Sequence, residues 1–139
     1  MKWSDVAVHL TGQAHMATVR PDGSPHVAKV WPAVDGETIW IGTRATSGKA
    51  RNLRVNPGAA LMFEPKGEAY VYGNAEVITD LETKQRIWNS GIFPYPLAGF
   101  FGAPEGDDFV FLRFRPVRAI VMTQGEAGIR RDTWRINDE

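Results

Sequence analysis

The chain has 139 residues, sixteen lysines and arginines against sixteen aspartates and glutamates, and no cysteine. That length suits one domain with a real core, spanning residues 1–139. Zero formal charge argues against a nucleic-acid binder that relies on bulk positive charge, and the lack of cysteine removes disulfides, thiolate metal sites and a cysteine nucleophile.

Taken in order, WSDVAVHLT (3–11) predicts a short amphipathic helix starting at Ser4 or Asp5 and ending before Gly12. Ala14–Arg20 is apolar and β-compatible, Pro21-Asp22-Gly23 turns the chain, and HVAKVWPAV (26–34) reads as its hairpin partner. Pro32 has no N–H to give a ladder, so it marks a bulge, an edge or a bend. Asp35-Gly36 leads into the strand ETIWIGT (37–43), and a basic turn and helix follow. Asn56-Pro57-Gly58 stops that helix, and AALMFEP (59–65) returns as a strand. Pro65-Lys66-Gly67 turns into AYVYGNAEVIT (69–79), with Gly73 a bulge or a point of close approach. Asp80 opens a second helix, DLETKQRIWNSG (80–91). The segment 91–108 is an apolar Pro/Gly/aromatic loop, too punctuated for a helix; loops of that length are usually functional or pack against a partner. FVFLRFRP (109–116) and RAIVMTQ (118–124) are strands, and 128–139 adds a short edge segment. Short strands joined by tight turns, with two or three helices, predict a small antiparallel β-barrel. No apolar run reaches membrane-spanning length and the first residues lack a long apolar stretch, so a cytoplasmic protein without a membrane partner is expected.

The stretch TRATSGKARNLRVNP (43–57) carries the sharpest chemical signal. A helix start exposes unpaired N–H groups and the positive end of the dipole, which suits an anion such as phosphate. Ser47 serves as cap or phosphate donor, and Lys49 lies in the first turn, where a cation works against the dipole unless something anionic binds. Arg44, Lys49, Arg51 and Arg54 cluster here in a chain of zero net charge, a local patch sized for a small anionic ligand. Leu53 and Val55 suggest a buried edge on this helix, and the plainer alternative to a ligand site is a solvated basic helix. His9, His15 and His26 lie on different elements with no metal-ligand spacing, and no GxSxG elbow is present. Asp107-Asp108 reads as a turn before a strand. No self-sufficient catalytic constellation emerges, so in an enzyme a cofactor would carry the chemistry. Trp31, Trp40, Trp88, Tyr95, Phe100 and Phe101 suit a planar ring, or else core filling and a dimer interface.

The order GSPHVAKVWPAVDGETIWIGT, TSGKARNLRVNP, AALMFE and YVYGNAEVITD resembles the flavin-binding split-barrel superfamily. This is the pyridoxamine 5'-phosphate oxidase-like group, with its general stress protein 26 and F420-dependent reductase branches. The IWNSG helix, the aromatic loop and DDFVFLRFRP are most similar to the general stress protein branch. The resemblance implies a six-stranded antiparallel split β-barrel acting as a homodimer, with cofactor sites at the subunit interface. It implies that Lys29, Val30 and Trp31 run along the isoalloxazine of FMN, the alternative cofactor being F420. It also places Thr43 and Arg44 at the ribityl and phosphate region and matches Ser47 and Lys49 to the family's phosphate-binding serine and lysine. Where the oxidase has an arginine before that lysine this chain has Gly48, and where it has one on the hairpin strand this chain has Ala28 beside Lys29. The oxidase's C-terminal Trp and Arg-x-His elements are not matched, so pyridoxamine 5'-phosphate is not the expected substrate. The implied function is hydride transfer between the flavin and a small planar substrate, in a cavity walled by the partner's aromatic loop. A flavin-binding stress protein without turnover is the alternative of a different class, and haem ligation by a histidine is a third.

Overall fold

A computed structural model describes residues 1–137. Helix α1 (Trp3–Ala7) precedes the hairpin β1 (Ala14–Val19) and β2 (Pro25–Val30), then β3 (Ala33–Asp35), β4 (Thr38–Arg44), α2 (Gly48–Val55) and β5 (Gly58–Phe63). There follow β6 (Glu68–Ile78), α3 (Leu81–Trp88), α4 (Leu97–Phe101), β7 (Phe109–Gly125) and β8 (Gly128–Arg135). Among the described residues these strands form one antiparallel sheet in the order β2-β1-β5-β6-β7-β4-β3, with β8 also on β7. The sheet is curled but not closed, a split barrel. The split lies along β7, whose first half pairs with β4 and whose second half pairs with β8, while β6 runs along its other side.

The expected six strands are eight. Pro32 breaks the run 26–34 into β2 and β3, because it cannot extend the ladder from Val30. The segment after residue 128 is a full strand whose Trp134 is buried against Trp3, ring centroids 4.8 Å apart; residues 138 and 139 of that expected edge segment lie outside the described residues. The two strands expected over 109–124 are one, running through Pro116. Pro116 faces Gly73, the next pair is Tyr72 with Arg118, and Val117 is left as the bulged residue. Gly73 is required there: a Cβ on it would lie 2.2 Å from the Arg115 carbonyl oxygen.

Helix α1 starts at Trp3, not at Ser4 or Asp5, since Trp3 is fixed by its Nε1–H donating to Gly36 O at 2.6 Å, and Asp5 instead accepts the Lys2 N–H at 2.9 Å. On α2, Leu53 is buried as expected, but Val55 at the last position is 66% exposed, past the end of the barrel contact. Inside the barrel Met16, Leu61, Phe63, Val71, Leu112 and Phe114 pack together. A second cluster on the outside joins Trp40, Phe109 and Phe111 to Ile87 of α3 and Leu97 of α4. Phe109 to Leu112 are therefore buried on both faces, because this second layer covers the side of the strand turned away from the barrel. Each such aromatic side chain contributes about 1.5–3 kcal/mol by burial.

Candidate functional site

A cavity of about 490 Å³ opens between the end of β2, the end of β4, the start of α2 and the aromatic segment around α4. Lys29, Val30, Trp31, Thr43, Arg44, Ser47 and Lys49 all line it. They come together because β4 delivers the chain directly into the turn before α2, while the β2 end at Val30 lies beside them. Ser47 is the N-cap of α2: its backbone is extended and its Oγ accepts the Ala50 N–H at 3.3 Å. Thr43, buried, donates its hydroxyl to Ser47 Oγ at 3.1 Å and so fixes the cap.

Lys49 is half-buried in this wall, and burial holds its ammonium below the ordinary lysine range. Among the described residues it has no carboxylate partner. Desolvating a cation beside the positive end of a helix is unfavourable unless an anion compensates. Arg44 is different, because its guanidinium already faces Asp108, Nη1 to Oδ2 at 3.4 Å. Lys29 is exposed on the rim.

The opposite wall is aromatic. Trp31 stacks on Tyr95 with centroids 4.7 Å apart, and Tyr95 meets Phe100 edge-on at 5.0 Å. Burial pushes the Tyr95 phenol up to about 12, so its hydroxyl stays protonated throughout the physiological range. The segment 91–108, expected to be wholly loop, contains the five-residue helix α4, started by Pro96 and ended by Gly102 at φ 79°. It folds over this chain's own cavity, where Phe101 comes within 3.1 Å of the place a Cβ on Gly42 would occupy. The segment thus lines its own chain's cavity, because a glycine on β4 lets it close there.

Gln13, Gly42 and Thr46 also line the cavity and carried no signal of their own in the sequence. Asp108, read as part of a turn, accepts from the Thr46 hydroxyl at 3.2 Å, and its carbonyl accepts the Ala45 N–H at 2.7 Å. Trp40 is core and Trp88 packs edge-on against Phe109 at 5.2 Å, so neither faces the cavity. No histidine lines it; His26 instead lies against Gly48, its Nε2 at 3.0 Å from where a Cβ would be. Among the described residues no group of three or more His, Cys, Asp or Glu side chains could hold a metal ion. No helix among them is long and apolar enough to cross a membrane.

Fold and cavity together define a split-barrel protein with a lysine- and arginine-lined cleft at a capped helix start. Residues 8–122 match the family model described as pyridoxamine 5'-phosphate oxidase, and the chain belongs to that family. Among solved structures, General Stress Protein 26 from Bacillus anthracis is 21% identical, with a TM-score of 0.72 over 96% of this chain and 97% of that one. An F420 reductase is 28% identical, with a TM-score of 0.58 over 80% of this chain and 90% of its own. A heme binding protein from Mycobacterium smegmatis is 19% identical, with a TM-score of 0.71 over 94% of this chain and 55% of its own. No protein of curated function matches the sequence.

Proposed function

We propose that the chain is an FMN-dependent oxidoreductase that exchanges a hydride with a small planar substrate, F420 being the alternative cofactor on the same site. One observation carries the reading: Lys49, desolvated and without a carboxylate partner among the described residues, lies beside the Ser47 cap in a cavity with an aromatic wall. The residues fit a phosphorylated flavin. Ser47 and Lys49 would hold the phosphate, with Thr43 fixing the Ser47 hydroxyl and Arg44 at the same end. Lys29, Val30 and Trp31 would face the ring, with Lys29 offering positive charge to the reduced form. The volume is within the range of cofactor cavities, roughly 300–1,000 Å³. When bound, the flavin supplies the hydride chemistry. The chain positions it, and the Tyr95, Phe100 and Phe101 segment keeps water from one side.

F420 enters on the F420 reductase neighbour at 28% identity. Haem is not part of the reading, since none of the three histidines lines the cavity. Trp134 is 1% exposed in the core, so it cannot serve as the oxidase's C-terminal substrate tryptophan. That supports a substrate other than pyridoxamine 5'-phosphate. The protein would act as a homodimer. Lys29 on the cavity rim adjoins an outward sheet face bearing Ala17, Val27, Ala60, Met62, Tyr70 and Tyr72, and a second copy seated there would complete the wall. The test is titration of the purified apoprotein with FMN, riboflavin and F420, followed by ring fluorescence. FMN should bind at least about ten-fold more tightly than riboflavin, as a charge-assisted phosphate contact requires. Equal affinity for the two would remove the phosphate site.

A further inference from the structure

Of the cations that line the cavity, Arg44 is not free. Arg44 and Thr46 line the cavity, but Asp108, which does not, engages both from behind. Its Oδ2 faces Arg44 Nη1 at 3.4 Å, its Oδ1 accepts from Thr46 Oγ1 at 3.2 Å, and its carbonyl accepts the Ala45 N–H at 2.7 Å. Asp108 is itself held in place. Lys84 of α3, 5% exposed, donates from Nζ to Phe109 O at 2.9 Å and to Gly106 O at 3.3 Å. Gln85 Nε2 donates to Glu105 Oε1 at 3.2 Å, and the Phe109 N–H closes on Gly106 O at 3.1 Å. A buried lysine donating to two backbone carbonyls braces the main chain on either side of Asp108.

We propose that Asp108 is a specificity-determining residue of the cavity: by tying Arg44 back it sets how strongly the site prefers a phosphorylated ligand over its unphosphorylated form. The proposal rests on the reading that a phosphate lies at Ser47 and Lys49. A carboxylate paired with Arg44 keeps the guanidinium from turning toward an incoming dianion. The site therefore recognises one phosphate chiefly through Lys49 and the helix start, and Asp108 restrains the affinity that a second cation would add.

The experiment measures dissociation constants of FMN and riboflavin for the unaltered protein, Asp108→Asn, Arg44→Gln and the double variant. The asparagine retains an oxygen for Thr46 and leaves the main-chain contact with Ala45 intact. The riboflavin-to-FMN ratio of dissociation constants cancels any general loosening of the cavity, which would weaken both ligands. That ratio should rise about two- to five-fold in Asp108→Asn, the scale of one exposed charge interaction. The gain should shrink at high salt and be lost in the double variant. An unchanged or lower ratio in Asp108→Asn overturns the proposal, as does a gain that survives removal of Arg44. In either case the Lys49 phosphate site still stands. If the unaltered protein does not prefer FMN to riboflavin, the underlying reading fails and the proposal fails with it.

Discussion

At the scale of single residues, Lys49 is a cation held at a cost to stability. Burial holds its pKa below the ordinary value of 10.5, so below that range the charged side chain is less favourable in the folded chain than in the unfolded one. Lys49→Met keeps the stem and removes the charge. The apoprotein's melting temperature at pH 7 should therefore rise. The difference should narrow as pH rises through the folded-state value and vanish only above 10.5, where the lysine is deprotonated in both states. The same change should weaken FMN by roughly ten- to a hundred-fold, the worth of a charge-assisted hydrogen bond of about 1.5–3 kcal/mol. A variant that melts lower without ligand would mean Lys49 has a stabilising partner and is not waiting for an anion. Arg54 is a poor control, since its Nη1 donates to Ala45 O at 2.9 Å and braces the same turn. The residues of this turn were legible because cap, cation and preceding strand are contiguous in sequence. Asp108 was not, because it is 64 positions from Arg44 and a carboxylate before a strand carries no local mark of its partner.

At the scale of elements, the sequence located strands well wherever a Gly or Pro turn punctuated them and failed where packing overrode the pattern. Helix α4 was hidden by its glycine and flanking prolines, and it is held by Leu97 buried against the outer aromatic cluster. Strand β8, expected as a short edge segment, is longer than its charge suggested, since only Trp134 in IRRDTWR is buried. The long β7 looked like two strands because Pro116 cannot give a ladder bond, yet the bulge at Val117 accommodates it. Gly73, across from it, was readable as a close-approach residue, and that reading gives a test. In Gly73→Ala the methyl would meet Arg115 O at 2.2 Å, which only a backbone shift can relieve. The variant should lose about 2–3 kcal/mol, the upper part of the usual range for a single substitution, read as a lower urea midpoint. Gly99→Ala in α4, whose nearest atom would be 4.0 Å away, should be neutral or stabilising by up to about 1 kcal/mol. Equal effects at the two positions would mean that the β6–β7 crossing is looser than its register implies.

At the scale of the whole molecule, the aromatic loop is a weaker argument for a second subunit, because part of it packs on its own chain: Phe93 stacks on Phe111 at 5.5 Å and Tyr95 on Trp31 at 4.7 Å. The stronger argument is the outward face of β2, β1, β5 and β6. The register aligns Val27 with Ala17, Ala17 with Ala60 and Ala60 with Tyr72, a transverse apolar row, and His15, Met62 and Tyr70 extend a neighbouring one. Val27 is 68% exposed, and contiguous apolar surface of this kind marks an association site more often than free surface. A symmetric pair on this face would bring each copy's strands beside the other's Lys29, at the rim of the cavity. Ala17→Glu places a charge in the middle of the row without touching the barrel core, since Ala17 is exposed in the single chain. Light scattering at micromolar concentration should give twice the chain mass for the unaltered protein and the single mass for the variant, with unchanged circular dichroism. An interface of standard size, about 800 Å² per partner, persists at that dilution but does not tolerate an unpaired carboxylate on each side of its centre. FMN affinity should fall together with the dimer, because the cavity then loses its second wall. A variant that remains dimeric would place the contact elsewhere. A monomer that binds FMN as tightly as the unaltered protein would show that one chain is enough for the site.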